Sequence, residues 1–312
     1  MIYLKLRGRI GNQLFIYSAA RMVQILKGED ETIIIEDTNN HSPEGIEYAN
    51  SLVNYELPNV RYIHEESFND GLKIVWLRLK RKILYRLLEN GLTNDQAHER
   101  TLRLHKFYEK LGIINVQDGY IPFPKKFSKN TYIDGYYQSE KYFTDIKDEI
   151  KNRFRIEDEL KKSNYPNLDL MRSRNTVCIS IKVQHNVGNY MYDVCHQDYY
   201  EKAIEYIISK VDNPLFFICS DNVEYVKENL IDTSKYDVVC QASDYPVHLS
   251  LAAMAQCKHF IIGNTSFGWW AQYLSDNPDK IVIVPDRWYN GMGDWQYDIY
   301  TEYMKIISTS TC

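Results

Sequence analysis

The sequence predicts an α/β protein of two domains, each built on a parallel sheet, and three observations carry that prediction. The 312 residues are about twice the length of a common domain. Near the start, an apolar strand runs into a glycine-punctuated loop, a helix-spaced segment and a second apolar strand. In the second half, short apolar runs alternate with helical stretches, as buried strands do when helices cover both faces of their sheet.

Taken in order, Ile2 to Leu6 reads as the first strand and Arg7-Gly8-Arg9-Ile10-Gly11-Asn12 as the loop. Gln13 to Leu26 carries Leu14, Tyr17, Ala20, Met22, Ile25 and Leu26 at near-helical spacing. Thr32 to Glu36, after Gly28, completes a βαβ crossover. Residues 37 to 130 are mixed, with a basic helix-like segment from Lys73 to Leu88 and tyrosine-rich turns. Strands then follow at Val177–Ile181, Leu215–Cys219, Val238–Val239, Phe260–Ile262 and Ile281–Val284. Helices are predicted at Tyr199–Ser209, Val223–Leu230, Leu249–Gln256 and Phe267–Leu274. Charge, proline and turn formers from Lys161 to Arg174 mark a linker and divide the chain into domains 1–160 and 161–312. Parallel sheets take ligands at the carboxyl ends of their strands, so the cleft between two facing α/β domains is the expected active site.

Composition narrows the function. Hydrophobic residues at 44% and charged residues at 25% describe a globular chain, and a net charge of −5 argues against nucleic acid as a partner. No apolar run is long enough to span a membrane, and the first residues lack the pattern of a signal peptide, so a cytoplasmic protein is expected. The six cysteines stand singly, without zinc-site spacing, and read as free thiols. Tyrosine, at 26 residues, suits either sugar-stacking surfaces or an aromatic-rich core.

Five constellations could carry chemistry. Gly8 to Gln13 lies between a strand end and a helix start, where backbone N–H groups favour a phosphate, although a plain turn capped by Asn12 has the same pattern. Lys182 and His185 follow the strand Val177–Ile181, offering a compact cation and a proton acceptor. Asn264, Thr265, Ser266 and Phe267 form a polar turn ahead of a helix, in which Ser266 either caps the helix or binds an anion. Asp221 ends another strand, suited to a sugar hydroxyl, a base edge or a helix cap. The segment Lys73–Leu88 holds six basic residues and no acid and suggests peripheral membrane contact, but Arg81 interrupts its Leu77, Leu84 and Leu88 stripe. No sequence pattern for a divalent metal, GxSxG or HExxH occurs, so a metal-independent site is expected.

These pieces together resemble the α-1,2-fucosyltransferase family of inverting glycosyltransferases, family 11. Gly8-Arg9-Ile10-Gly11-Asn12-Gln13-Leu14-Phe15 is similar to its GxxGNQxF signature. Ile133 to Phe143, with Gly135-Tyr136-Tyr137-Gln138-Ser139-Glu140-Lys141-Tyr142-Phe143, is similar to its GYxQSEKYF block. Cys257 to Trp270 is similar to its CKHxIIxNSSFSWW block, and Asn277 to Pro285 follows in order.

The resemblance implies a GT-B fold of two Rossmann-like α/β domains. The N-terminal domain would be the acceptor side and the C-terminal domain would hold the nucleotide sugar, with GDP-fucose the default donor and no metal. Gly11, Asn12, Lys182, Asp221, Ser250, Asn264, Thr265, Ser266 and Phe267 would bind the donor. Lys182, His185 and Asn12 are the expected catalytic residues, with His185 taken as base from its place on the Lys182 loop rather than from the resemblance. A glycan or lipid-linked oligosaccharide would be the acceptor, in surface polysaccharide synthesis such as that of O-antigen; the lack of a signal or anchor pattern and the basic segment Lys73–Leu88 give the expectation of the inner face of a cytoplasmic membrane.

The sequence also departs from the family pattern. In its HxRRxD-like motif the His position is Ser180, the second Arg is Val183 and the Asp is His185, and an Asp seven residues before Cys257 is Ser250. Two alternatives to a GDP-fucose enzyme follow: a donor with another base, and a non-catalytic glycan- or nucleotide-binding homologue.

Overall fold

The computed structural model describes residues 1–36, 49–63 and 68–310. The chain divides into two compact units, one of residues 1–150 and 292–299, the other of 151–291 and 300–312.

The first unit is built on a five-stranded sheet of β1 (Ile2–Lys5), β2 (Ile33–Glu36), β3 (Val60–Ile63), β4 (Ile113–Val116) and β5 (Thr131–Gly135). The order is β3-β2-β1-β5-β4, and every pairing is parallel. Helix α1 (Ile10–Lys27) makes the crossover from β1 to β2 and ends at Gly28. It is buried almost all round, so its polar Gln13, Ser18, Arg21 and Gln24 must be bonded internally. Gln13 meets that requirement in full: Nε2 donates to Gly8 and Ala49 carbonyls at 2.9 Å, and Oε1 accepts from the Ser51 amide at 2.7 Å. Helices α2 (Phe68–Leu88) and α3 (Asn94–Lys110) precede β4. A capping box formed by Thr93 and Gln96 starts α3, a helix that the sequence reading left within its mixed region.

The second unit contains a six-stranded parallel sheet of β6 (Asn175–Ile181), β7 (Pro214–Ser220), β8 (Val238–Cys240), β9 (His259–Ile262), β10 (Val282–Pro285) and β11 (Lys305–Ile307). Its order is β11-β10-β9-β6-β7-β8. The chain enters this unit inside α4 (Lys147–Phe154) and continues through α5 (Glu157–Lys162) and α6 (Leu168–Ser173). The stretch expected as a linker, 161–174, therefore carries helix, with Leu168 and Met171 buried. Its charge and turn residues mark short helix ends.

Helices α7 (Gln197–Ile208), α8 (Val223–Asn229), α9 (Val247–Met254) and α10 (Ser266–Leu274) alternate with these strands. Val177, Ile179, Ile181, Phe216, Ile218 and Ile261 pack into one core with Tyr199, Ile204 and Val226. Many tyrosines serve as core residues whose hydroxyls bond to backbone, as Tyr199 does with the Ile262 carbonyl and Tyr137 with that of Ile114, both at 2.7 Å. Trp269 and Trp270 are fully buried. Cys178, Cys195, Cys219, Cys240 and Cys257 are free thiols, and Cys312 lies outside the described residues.

Candidate active site

In the first unit, the glycine loop follows β1. Gly8 has φ +64°, and a Cβ there would stand 2.4 Å from Asn12 Nδ2, so the left-handed backbone and the missing side chain both make room for Asn12. Gln138 Nε2 donates to Asn12 Oδ1 at 2.8 Å. Two sequence blocks 126 residues apart thus meet on one side chain. Gly11 is buried in the first turn of α1. Asn12 lies inside the helix, which begins at Ile10 with Arg9 as its flanking residue, so Asn12 is not its cap.

Beside this loop, at the carboxyl ends of β1, β4 and β5, lies a buried ionic network. Asp134 accepts from Arg7 and, at 2.6 Å, from Arg81 Nε. Arg81 also forks onto Glu89 at 3.1 and 2.8 Å and reaches Asn115 at 3.1 Å, while Tyr108 donates to Glu89. Burial alone would raise the Asp134 pKa, but the guanidinium groups of Arg7 and Arg81 hold it below its ordinary value. The arginine that breaks the α2 stripe therefore points inward as an ion-pair partner.

Arg7 was not singled out from the sequence, yet its Nε is buried without a hydrogen-bond partner and its guanidinium lies 5.8 Å from the Tyr136 ring centre. Asp118, just beyond β4, was also missed. Burial and the nearby Asp95 carboxylate push its pKa up to about 6, against the opposing charge of Arg7. Isolated between Gln117 and Gly119, it carries no sequence signal that separates it from a surface aspartate.

In the second unit, adjacent parallel strands deliver most of the predicted residues to one sheet edge. Lys182 to His185 follow β6, Asp221 follows β7, and Asn264 to Phe267 follow β9. Lys182 is half-buried, whereas His185 is exposed at φ +66°. Asp221 Oδ1 accepts from the amides of Val183 and Gln184 at 2.8 and 3.2 Å, fixing the Lys182 loop. The α8 cap is Asn222, whose side chain accepts from the Tyr225 amide. Asn264 Nδ2 donates to the carbonyls of Tyr192 and Trp288 at 2.9 and 3.1 Å, and Oδ1 accepts from Asn186 at 3.3 Å, joining three loops.

The α10 cap is Thr265, which accepts from the Phe267 amide at 3.3 Å, and Ser266 is the first helical residue. Ser266 therefore does not serve as the cap; a non-helical backbone is needed for that role, and Thr265 has it. Arg287, beyond β10, adds a guanidinium at this edge, with Nε donating to Asn290 at 2.8 Å. It was missed because the sequence analysis centred on the HxRRxD-like loop.

Of the four departures from the family pattern, His185 is exposed and the other three are packed as interior residues. Val183 is buried in the sheet core. Ser180 is buried against Gly268, where an added Cβ would meet Ser180 Cβ at 2.6 Å, so α10 rests directly on β6. A histidine at position 180 would not fit beneath this contact without displacing α10. Ser250, on α9, is buried facing Tyr165. Neither hydroxyl has a partner at hydrogen-bond geometry, and burial pushes the Tyr165 phenol up to about 12. Ser250 therefore lies inside the unit, on an element different from the three strand ends. Among the described residues, no cluster of three or more His, Cys, Asp or Glu side chains could hold a metal ion.

Over 307 residues the chain is 26% identical to the O-antigen biosynthesis glycosyltransferase WbnK of Escherichia coli, spanning 93% of this chain and 95% of that protein. It is 28% identical over 163 residues to an alpha-1,2-colitosyltransferase of Escherichia coli, covering 50% of this chain and 55% of the other. Against galactoside alpha-(1,2)-fucosyltransferase 1 of Bos taurus the identity is 24% over 167 residues, 49% and 45% of the two chains. The crystal structure of NodZ alpha-1,6-fucosyltransferase soaked with GDP-fucose matches with a TM-score of 0.51 at 12% identity, over 90% of this chain and 94% of that one. That likeness concerns the fold, two Rossmann-like α/β units of the GT-B type. The Glycosyl transferase family 11 pattern matches residues 1–302, and the chain belongs to this family of glycosyltransferases.

Proposed function

We propose that this glycosyltransferase moves L-fucose from GDP-fucose, with inversion and without a metal, to the 2-hydroxyl of a galactoside. The acceptor is a glycan or lipid-linked oligosaccharide, and the product enters a surface polysaccharide such as O-antigen. One observation carries the reading beyond the family: β9, β6 and β7 lie side by side and bring Asn264–Phe267, Lys182–His185 and Asp221 to one carboxyl edge. That edge combines a lysine, the amino end of α10 and a loop held by Asp221, which suits a leaving diphosphate.

In the proposed reaction the acceptor hydroxyl attacks the anomeric carbon as the bond to the diphosphate breaks. Lys182, Arg287 and the first amides of α10 take up the developing negative charge, and His185 accepts the acceptor's proton. Ser266, Thr265 and Phe267 shape the phosphate-side turn, while Asn264 and Asp221 hold the loops that form it. For Asn12 and Gly11 in the first unit, the proposal is a contact to the transferring sugar through the Asn12 amide.

A second reading, a donor with a different base, is favoured by Ser180, Val183 and Ser250. All three are buried where the resemblance places groups that bind GDP. Calorimetry of the purified chain with GDP, UDP, CDP and dTDP separates the two. Saturable binding of GDP alone supports the guanine donor, and binding of another nucleotide in its place overturns it.

A further inference from the structure

Helix α2 has two apolar faces. Leu77, Leu84 and Leu88 face the core of the first unit, beside Tyr3, Ile34 and Tyr108. A second face, roughly a third of a turn round the helix, carries Leu72, Trp76, Leu79, Ile83 and Leu87, at spacings of four, three, four and four residues that place them in one stripe along the helix. All five are exposed, Trp76 at 62% and Leu87 at 75%. A surface helix ordinarily turns polar residues outward, and a continuous exposed stripe of this kind marks an interaction surface.

The flanks say what the stripe meets. The wheel sets Lys73 and Lys80 along one side of it and Lys82 and Arg86 along the other, all four exposed. The remaining basic residues of the segment are engaged elsewhere, Arg81 by Glu89 and Asp134 and Arg78 by Glu36. There is no acid anywhere from residue 72 to 88, so the exposed face is purely apolar and cationic. No helix among the described residues is long and apolar enough to cross a membrane.

We propose that α2 lies in the plane of an anionic lipid bilayer. Trp76, Leu79, Ile83 and Leu87 would enter the acyl boundary, with the four cations at the lipid headgroups. The basic positions that scatter around the wheel in the sequence become ordered once the two paired arginines are removed from the count. The surface would place a transferase of this family beside acceptors anchored in lipid.

The test is co-sedimentation of the full chain with phosphatidylcholine vesicles, with and without phosphatidylglycerol. Two double variants, Trp76→Ser with Leu87→Ser and Lys73→Glu with Lys80→Glu, are compared with the wild type, with thermal unfolding as the control for folding. The expected result is binding to the phosphatidylglycerol vesicles that weakens with salt and falls by at least about tenfold in each variant, each surface cation being worth roughly a factor of five. Failure of the wild type to bind, or binding that both variants retain, overturns the proposal. So does a wild-type dimer that Trp76→Ser with Leu87→Ser converts to monomer, which would assign the stripe to a second copy of the chain.

Discussion

Gln138 donates a hydrogen bond of 2.8 Å to the Asn12 carboxamide oxygen, and Gly8 leaves the space that the same side chain fills. The orientation of Asn12 is thus set from outside its own loop. Removing the donor in Gln138→Ala should lower kcat/KM by about tenfold, the effect of one net hydrogen bond of about 1.4 kcal/mol, with thermal stability little changed. Asn12→Ala should cost more, and the double variant no more than Asn12→Ala alone, because both substitutions act through one contact. Additive losses in this cycle would mean that Gln138 does not work through Asn12.

Lys182 follows β6 on a loop fixed by Asp221. A charge that stabilises a leaving diphosphate should survive a change of cation better than its loss. Steady-state turnover is expected to fall far more in Lys182→Ala than in Lys182→Arg, by about a hundredfold for the first. Equal activity of the two would remove Lys182 from the reaction.

Arg81 neutralises two buried carboxylates, Asp134 and Glu89. Arg81→Ala leaves Glu89 without its cation and Asp134 with Arg7 alone, and should destabilise the first unit by about 3–5 kcal/mol, measurable by urea unfolding. The Asp134 carboxyl is held below its ordinary pKa, so the stability it contributes is present at neutral pH and is lost as the pH falls through the lowered value. The gap between wild type and Arg81→Ala should therefore narrow in acid.

Asp118 titrates in the opposite sense. Its pKa is raised to about 6, so the native state holds a proton that the unfolded chain has lost, and stability declines as pH rises from about 4 to 6. Asp118→Asn should be neutral at pH 4 and more stable than wild type by about 1–2 kcal/mol at pH 7.5, a figure reduced for its partial exposure. Parallel unfolding curves for the two proteins across this range would contradict the assignment.

What the sequence made legible was local. The apolar strands β1, β2, β6, β7, β9 and β10 and the helices between them announce themselves by period and glycine or proline punctuation. Strands β3, β4 and β5 and helix α3 did not, because their short runs sit among polar and tyrosine-rich turns. The ion network was invisible since Arg7, Arg81, Glu89 and Asp134 are brought together only by strand order. Asn264 stood out in a polar turn and Asp221 at a strand end, but hydrogen bonding reveals that they hold loops. Whether Ser266 caps α10 or binds an anion was open in the sequence, and the backbone angles that give the cap to Thr265 are not carried by composition.

The most direct test of the central claim is incubation with GDP-β-L-fucose and a β-galactoside, followed by NMR of the product. The expected result is release of one GDP per fucose transferred, with the new sugar α-linked to the 2-hydroxyl of galactose. No transfer from GDP-fucose, a β-linked product, or transfer only from a nucleotide sugar with another base would contradict it.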